Sequence, residues 1–230
     1  MNKNLAKKNT LTRLERKWTF KKNNINLNNL TIAIFRSPFR FKKSFASRQV
    51  NSIYFDDKNF TSILENLDGT AAKKKYRVRW YGSSNLLNNC SLEIKEKLGF
   101  VSKKTIIPIT LKNPIKFNYE GINAIRNAVL KIINYKVSLI PILSTHYQRD
   151  YYLSDNKKIR STLDYDIKSH QIIYKQNLNF QKNFNDYIFE LKYEKKYDNF
   201  VRKNLSNMSS RYSKSSKYIN CAISVPQFFS

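Results

Sequence analysis

The chain has 230 residues, 41% of them hydrophobic and 14% aromatic, which is enough for a packed core and excludes a wholly disordered protein. Lys and Arg number 43 against 16 Asp and Glu, a net charge of +27, so the partner to look for is a polyanion. Cys90, Cys221, His146 and His170 are the only cysteines and histidines; they match no zinc or disulfide pattern and leave little for histidine-based catalysis.

Residues 1–10 are polar and read as a flexible N-terminus, followed by one domain over 11–225. A strand is predicted over 12–20. Leu27, Leu30 and Ile34 recur at helical spacing, so Asn23 to Ile34 reads as a helix that Pro38 ends. Residues 37–48 read as a basic loop with Arg40, Lys42, Lys43 and Arg48, beside Arg36. Such a loop is a solvated face or a guide for a polyanion. Val50 to Phe55 reads as a strand. Asp56 or Asp57 can cap a helix running to about Leu67, which Gly69 stops.

Strands are then predicted over 74–82, 90–98 and 103–111. Ile122, Ile125, Val129 and Ile132 share one face of a helix over 119–134. Strands over 139–153, 157–168 and 186–194 and a helical region over 196–223 complete the chain. No run of about 18 apolar residues occurs, so no transmembrane helix is expected. No apolar segment follows the basic N-terminus, so no signal peptide is expected either, and a cytoplasmic location is. The predicted class is α+β: an antiparallel sheet of about eight strands with flanking helices and a C-terminal helix. Closing such a sheet into a barrel removes its edges and encloses a channel lined by alternate residues.

Side chains two apart on a strand share a face. Charged residues hold that spacing at Arg13-Glu15-Lys17, Lys75-Arg77-Arg79, Glu93-Lys95-Lys97 and Glu190-Lys192-Glu194, in Arg160-Thr162-Asp164-Asp166, and more loosely at Tyr147-Arg149. Apolar residues such as Tyr76, Val78, Trp80, Ile94, Leu163, Phe189 and Leu191 stand between them. If the charged faces turn inward, Lys17, Arg77, Arg79, Lys95, Arg149, Arg160 and Lys192 meet only Glu15, Glu93, Asp164 and Glu190. Enclosed cations in such excess are costly without partners. A phosphate chain would balance them, since Arg offers a planar fork and Lys a mobile point charge to its oxygens. The minority carboxylates suit Mg²⁺ or Mn²⁺, which take oxygen ligands and bridge phosphates.

Taken alone, Arg77 and Arg79 read equally as exposed strand residues, and Glu190 as a structural partner of Lys192 or Lys95. Asp164 reads as a structural partner of Arg160 as readily as a metal ligand. Trp18 and Trp80 are expected to pack outside the barrel, and His146 and His170 to be incidental.

Together the segments resemble the catalytic domain of the vacuolar transporter chaperone (VTC) family, within the triphosphate tunnel metalloenzymes. The resemblance rests on Arg13-Leu-Glu-Arg-Lys-Trp18, Val50-Asn-Ser-Ile-Tyr-Phe-Asp-Asp57 and Tyr76-Arg-Val-Arg-Trp-Tyr-Gly82. It continues through Leu92-Glu-Ile-Lys95, Tyr147-Gln-Arg149, Arg160-Ser-Thr-Leu-Asp164, Phe189-Glu-Leu-Lys192 and Arg211-Tyr-Ser-Lys214. It implies an antiparallel tunnel that binds ATP or another triphosphate and inorganic polyphosphate. It implies Lys17, Arg77, Arg79, Lys95, Arg149 and Arg160 as phosphate ligands at the reacting centre. Lys192, one of Lys103 and Lys104, which the spacing leaves open, and Lys214 of the C-terminal helix would add substrate contacts. Glu190 would hold the divalent metal. Glu15 would be a metal ligand or a lysine partner, and Tyr54 and Asp56 would shape the barrel. The chain shows neither the phosphate-sensing N-terminal domain nor the membrane segments of the best-known members, so a stand-alone enzyme is expected.

The expected activity is phosphoryl transfer from ATP to a growing polyphosphate chain. A triphosphatase or nucleotide cyclase of the same superfamily is the alternative. A non-catalytic polyanion module, for nucleic acid or polyphosphate, is a third reading. The basic residues and the aromatics are expected on opposite faces, which disfavours base stacking and hence nucleic acid.

Overall fold

The structure, a computed structural model, describes residues 13–99, 101–172, 181–205 and 216–224. β1 (Arg13–Lys21) leads through α1 (Leu27–Arg36) to β2 (Lys42–Asp56) and α2 (Thr61–Leu67). β3 (Ala72–Tyr81), β4 (Leu86–Leu87), β5 (Ser91–Leu98), β6 (Val101–Pro108) and β7 (Ile115–Lys116) precede α3 (Tyr119–Ile132). β8 (Ile140–Leu153), β9 (Arg160–Gln171), β10 (Gln181–Asn183) and β11 (Asp186–Glu194) follow, then α4 (Asp198–Leu205) and α5 (Lys217–Ile223).

The main sheet runs β1-β11-β9-β8-β2-β3-β5-β6, with β10 on the end of β9 and β4–β7 as a separate ribbon. Every pairing is antiparallel. Among the described residues no pairing joins β1 to β6, so the sheet is a curled half-barrel rather than a closed one. The curl brings its ends together: Lys95 of β5 acts on the charge of Glu15 in β1. The α+β, mostly antiparallel class predicted from the sequence is what the structure has.

The helices are set by local hydrogen bonding. Asn26 caps α1 by accepting from the Asn29 N–H at 2.8 Å. Asp56 does more than cap α2: its Oδ1 accepts from Ser62 N at 2.9 Å and its Oδ2 from Ile63 N at 3.1 Å. Asn118 caps α3 by accepting from Gly121 N at 3.0 Å. A Cβ at residue 121 would lie 1.9 Å from the Lys116 carbonyl oxygen, so only glycine lets α3 start there.

Two apolar cores lie on the convex side. α3 lays Ile122, Ile125 and Val129 on Ile53, Val78, Trp80 and Leu92. α1 and α4 lay Leu30, Ile34 and Val201 on Trp18, Phe189, Leu191 and Tyr193. Each fully buried aliphatic side chain contributes about 1.5–3 kcal/mol. With the apolar alternates of the strands covered on that side, their charged alternates must face the concavity. Trp18 and Trp80 are both buried in these cores.

Two expectations need correction, and a third lies partly outside the described residues. The predicted basic loop at 37–48 is mostly strand: β2 starts at Lys42 and follows β8 through two irregularities, anchored by buried Phe39 and Phe41. The alternation of β9 breaks at Asp166, which takes a left-handed φ of 49° and leaves the channel face to meet Lys22 at 3.1 Å. The helical region predicted over 196–223 is described only as α4 and α5, and residues between them lie outside the described residues.

Candidate phosphate-binding channel

Directly opposed residues of an antiparallel pair share a face. Register therefore puts Tyr54, Arg77 and Glu93 in one row, and Lys75, Lys95 and Lys104 in another. Across the sheet, Lys17 opposes Glu190, which opposes Thr162. Glu15, Lys192 and Arg160 form the adjacent row, and Arg149 opposes Asp164. All of these line the concavity.

The carboxylates organise this face into three clusters. Glu93 receives Arg77 Nε at 2.6 Å, with Lys104 Nζ at 3.0 Å and Arg79 Nη1 at 3.8 Å. Burial alone would raise its pKa. Arg77, Arg79 and Lys104 outweigh that and hold it at about 2. Arg79 also donates to the Tyr147 hydroxyl at 3.3 Å and to Ser52 Oγ at 3.5 Å.

Asp164 is fully buried. It takes a two-pronged grip from Arg149, Nε to Oδ1 at 2.5 Å and Nη2 to Oδ2 at 2.7 Å. The Lys217 ammonium, from the start of α5, contacts Oδ2 as well. Against burial, Arg149 and Lys217 hold this carboxyl well below the usual carboxylate range. Both cations also lie over the Tyr147 ring, 5.3 and 4.9 Å from its centroid.

Glu15 and Glu190 share two lysines. Lys17 Nζ is 2.5 Å from Glu15 and 3.6 Å from Glu190. Lys192 contacts Glu190 and lies 4.0 Å from Glu15. Burial would raise both acids. Lys17, Lys192 and Lys95 outweigh it and bring Glu15 to about 2. Lys192 and Lys17 likewise lower Glu190, against burial and against Glu15. Glu190 Oε1 meets the Lys192 ammonium directly, and the Thr162 Oγ1 on the adjacent strand is buried with no hydrogen bond among the described residues.

Cations exceed these acids. Lys75 is pushed down to about 7, first by burial and then by Lys95, Lys17, Lys73 and Arg77. Lys95 is lowered by burial and by Lys17, Lys192 and Arg77, with only Glu15 opposing.

Of the residues singled out from the sequence, Lys17, Arg77, Arg79, Lys95, Arg149, Arg160, Lys192, Glu15 and Glu190 all face the concavity. Of the lysine pair left open, Lys104 lies inside with Glu93. Lys103 opposes Glu96, on the other face of the strand. Lys214 lies outside the described residues. Asp164 partners Arg149 and Lys217 rather than Arg160, because Arg149 stands directly across from it on β8. The separation of aromatic and basic faces is also incomplete: Tyr54 and Tyr147 stand among the arginines. The sequence puts Lys75 on the charged face without naming it among the ligands, and gives no sign of Lys217. Lys75 continues the Arg77-Arg79 spacing and was legible there. Lys217 enters from a helix, which carries no such period.

The oxygens of Glu15, Glu190 and Thr162, on three adjacent strands, fit a hard divalent cation. Among the described residues no group of three or more His, Cys, Asp or Glu converges, so phosphate oxygens and water would complete its shell. Cys90 and Cys221 are free and buried. No described helix is long and apolar enough to cross a membrane.

A family model described as the VTC domain matches residues 8–225. A search of the curated proteins finds no match. A solved structure of a candidate adenylate cyclase from Vibrio parahaemolyticus is 11% identical with a TM-score of 0.51, covering 90% of this chain and 95% of that one. A candidate adenylyl cyclase from Hippeastrum, described as having a dominant triphosphatase activity, is 10% identical with a TM-score of 0.48, covering 91% and 96%.

Proposed function

Since the chain belongs to the VTC domain family, we propose that it transfers the terminal phosphoryl group of ATP to a growing inorganic polyphosphate chain in its basic channel. The observation that carries this reading is the uncompensated charge of the concave face. Burial first, and then the neighbouring cations, lower Lys75 and Lys95, as expected of a site that is electrostatically complete only with a polyanion.

In the reaction a terminal oxygen of the polyphosphate attacks the γ-phosphorus of ATP in line. The bond from that phosphorus to the β,γ-bridging oxygen breaks, and ADP leaves. Such transfer needs positioning and charge neutralisation more than covalent help from the protein. Arg77, Arg79 and Arg149 are pre-aimed by their carboxylate partners and hold phosphate oxygens in fixed directions. Lys17, Lys75, Lys95, Lys104 and Lys192 follow the moving charge on flexible stems. Glu15 and Glu190 would hold Mn²⁺ or Mg²⁺, which draws charge from the phosphoryl group in transfer.

A second reading is triphosphate hydrolysis. It is favoured by the absence of a β1–β6 pairing among the described residues, a seam through which water could reach the concavity as the acceptor. Incubation with ATP, Mn²⁺ and a short polyphosphate primer separates the two. A ladder of lengthening polyphosphate with ADP is expected. Free phosphate without a ladder would replace the polymerase reading with hydrolysis.

A further inference from the structure

Where β2 begins and β3 and β8 end, the concave face changes character. Arg48 stands directly across from Arg149 in the β2–β8 register, one strand from the phosphate-facing arginine. Its guanidinium carbon lies 5.6 Å from the Phe45 ring centroid and 5.9 Å from those of Tyr81 and Tyr151. Phe45 is 60% exposed and Tyr81 47% exposed. Among the described residues no carboxylate pairs with Arg48. The rings are therefore not sealing a core, and the guanidinium is not fixing an ion pair. What is left is an open, electron-rich surface, on which Phe45 and Tyr151 meet edge to face at 85°, with one cation held over rings rather than by a carboxylate.

This surface joins the channel without a break. Tyr151 opposes Thr162, and its hydroxyl feels Arg149, Tyr81, Tyr147 and Arg48 together. A ligand whose phosphates reach Arg149 and Arg79 would lay its other end here. A planar aromatic ring stacks on Tyr, Phe and Arg, and every nucleobase presents such a face. We propose that Phe45, Arg48, Tyr81 and Tyr151 form a nucleobase platform at the channel mouth, taking the base of a nucleoside triphosphate. This rests on the reading of the channel as a triphosphate site. The platform discriminates nucleotides from inorganic triphosphate and, because stacking is tolerant, discriminates poorly among bases.

The test is calorimetric titration of the full chain with ATP, GTP and inorganic tripolyphosphate, on wild type and on Arg48→Gln and Phe45→Ser/Tyr81→Ser. Melting temperatures establish that the variants fold, as their exposure leads one to expect. ATP and GTP affinity should each fall about tenfold in the variants, with tripolyphosphate affinity unchanged. Unchanged ATP affinity, or an equal loss for ATP and tripolyphosphate, overturns the platform while leaving the channel standing. Failure of all three ligands to bind wild type overturns the channel reading and the platform with it.

Discussion

Asp164 and Glu190 sit on neighbouring strands of one concave face, and each is gripped by two cations, but the grips differ in kind. Asp164 is sealed from water and held by the rigid fork of Arg149, with Lys217 behind it. Glu190 is held only by lysines, and its Lys192 partner is 47% exposed. A guanidinium fork fixes geometry, whereas an ammonium on a four-carbon stem can swing away. Asp164 is thus a structural strut that aims Arg149, and Glu190 is a carboxylate that can be released to a divalent cation.

The strongest way to break this contrast is Asp164→Asn. It leaves Arg149 and Lys217 with no buried counter-charge and should cost about 3–5 kcal/mol of stability by denaturant unfolding. Glu190→Gln should lower the melting temperature far less, yet reduce metal-dependent turnover about a hundredfold, read from initial rates against Mn²⁺ concentration. Its affinity for ATP without metal should survive, since it removes a negative charge from a phosphate site. If both variants behaved alike, the division into strut and ligand would fail.

The next test concerns the cations. Lys75 sits at about 7 in the free protein against an ordinary value of 10.5, so the unfolded chain binds more protons between those values. Its contribution to stability therefore rises with pH across that window. A bound polyanion reverses the preference and restores the proton. ATP affinity should then fall with rising pH above about 7, by up to about tenfold per unit, and binding should take up a proton. Titrations in buffers of different ionisation enthalpy measure that uptake, and Lys75→Met should remove it.

The smallest effect is on acid stability. Glu15 and Glu93 lie near 2 in the folded chain against an ordinary 4.5. Their stabilisation is complete above about 4.5 and lost as pH falls towards 2. Glu93→Gln should flatten that part of the unfolding curve, as followed by circular dichroism.

Much of this was legible in the chain, because a strand repeats every two residues. Lys75-Arg77-Arg79 against Tyr76-Val78-Trp80 fixes which residues share a face, and the cap at Asp56 follows from local chemistry, whereas the start of α1 at Leu27 behind Asn26 lies inside the helix that the apolar spacing predicts. The run before Val50 reads as a loop in the sequence and is largely strand in the structure. Its basic residues gave no period, and the burial of Phe39 and Phe41 that anchors it depends on helices far along the chain.

By itself, then, the sequence determined the α+β antiparallel class, the basic character of one sheet face and most of the residues on it. Only the tertiary structure decided which charge meets which: Arg149 with Asp164, Lys217 with Asp164, Lys104 rather than Lys103 with Glu93, and Arg48 among three rings. Periodicity assigns a side chain to a face, but a partner on that face is chosen by register and curl. Those are set by long-range packing of the two convex cores, and no local segment encodes them.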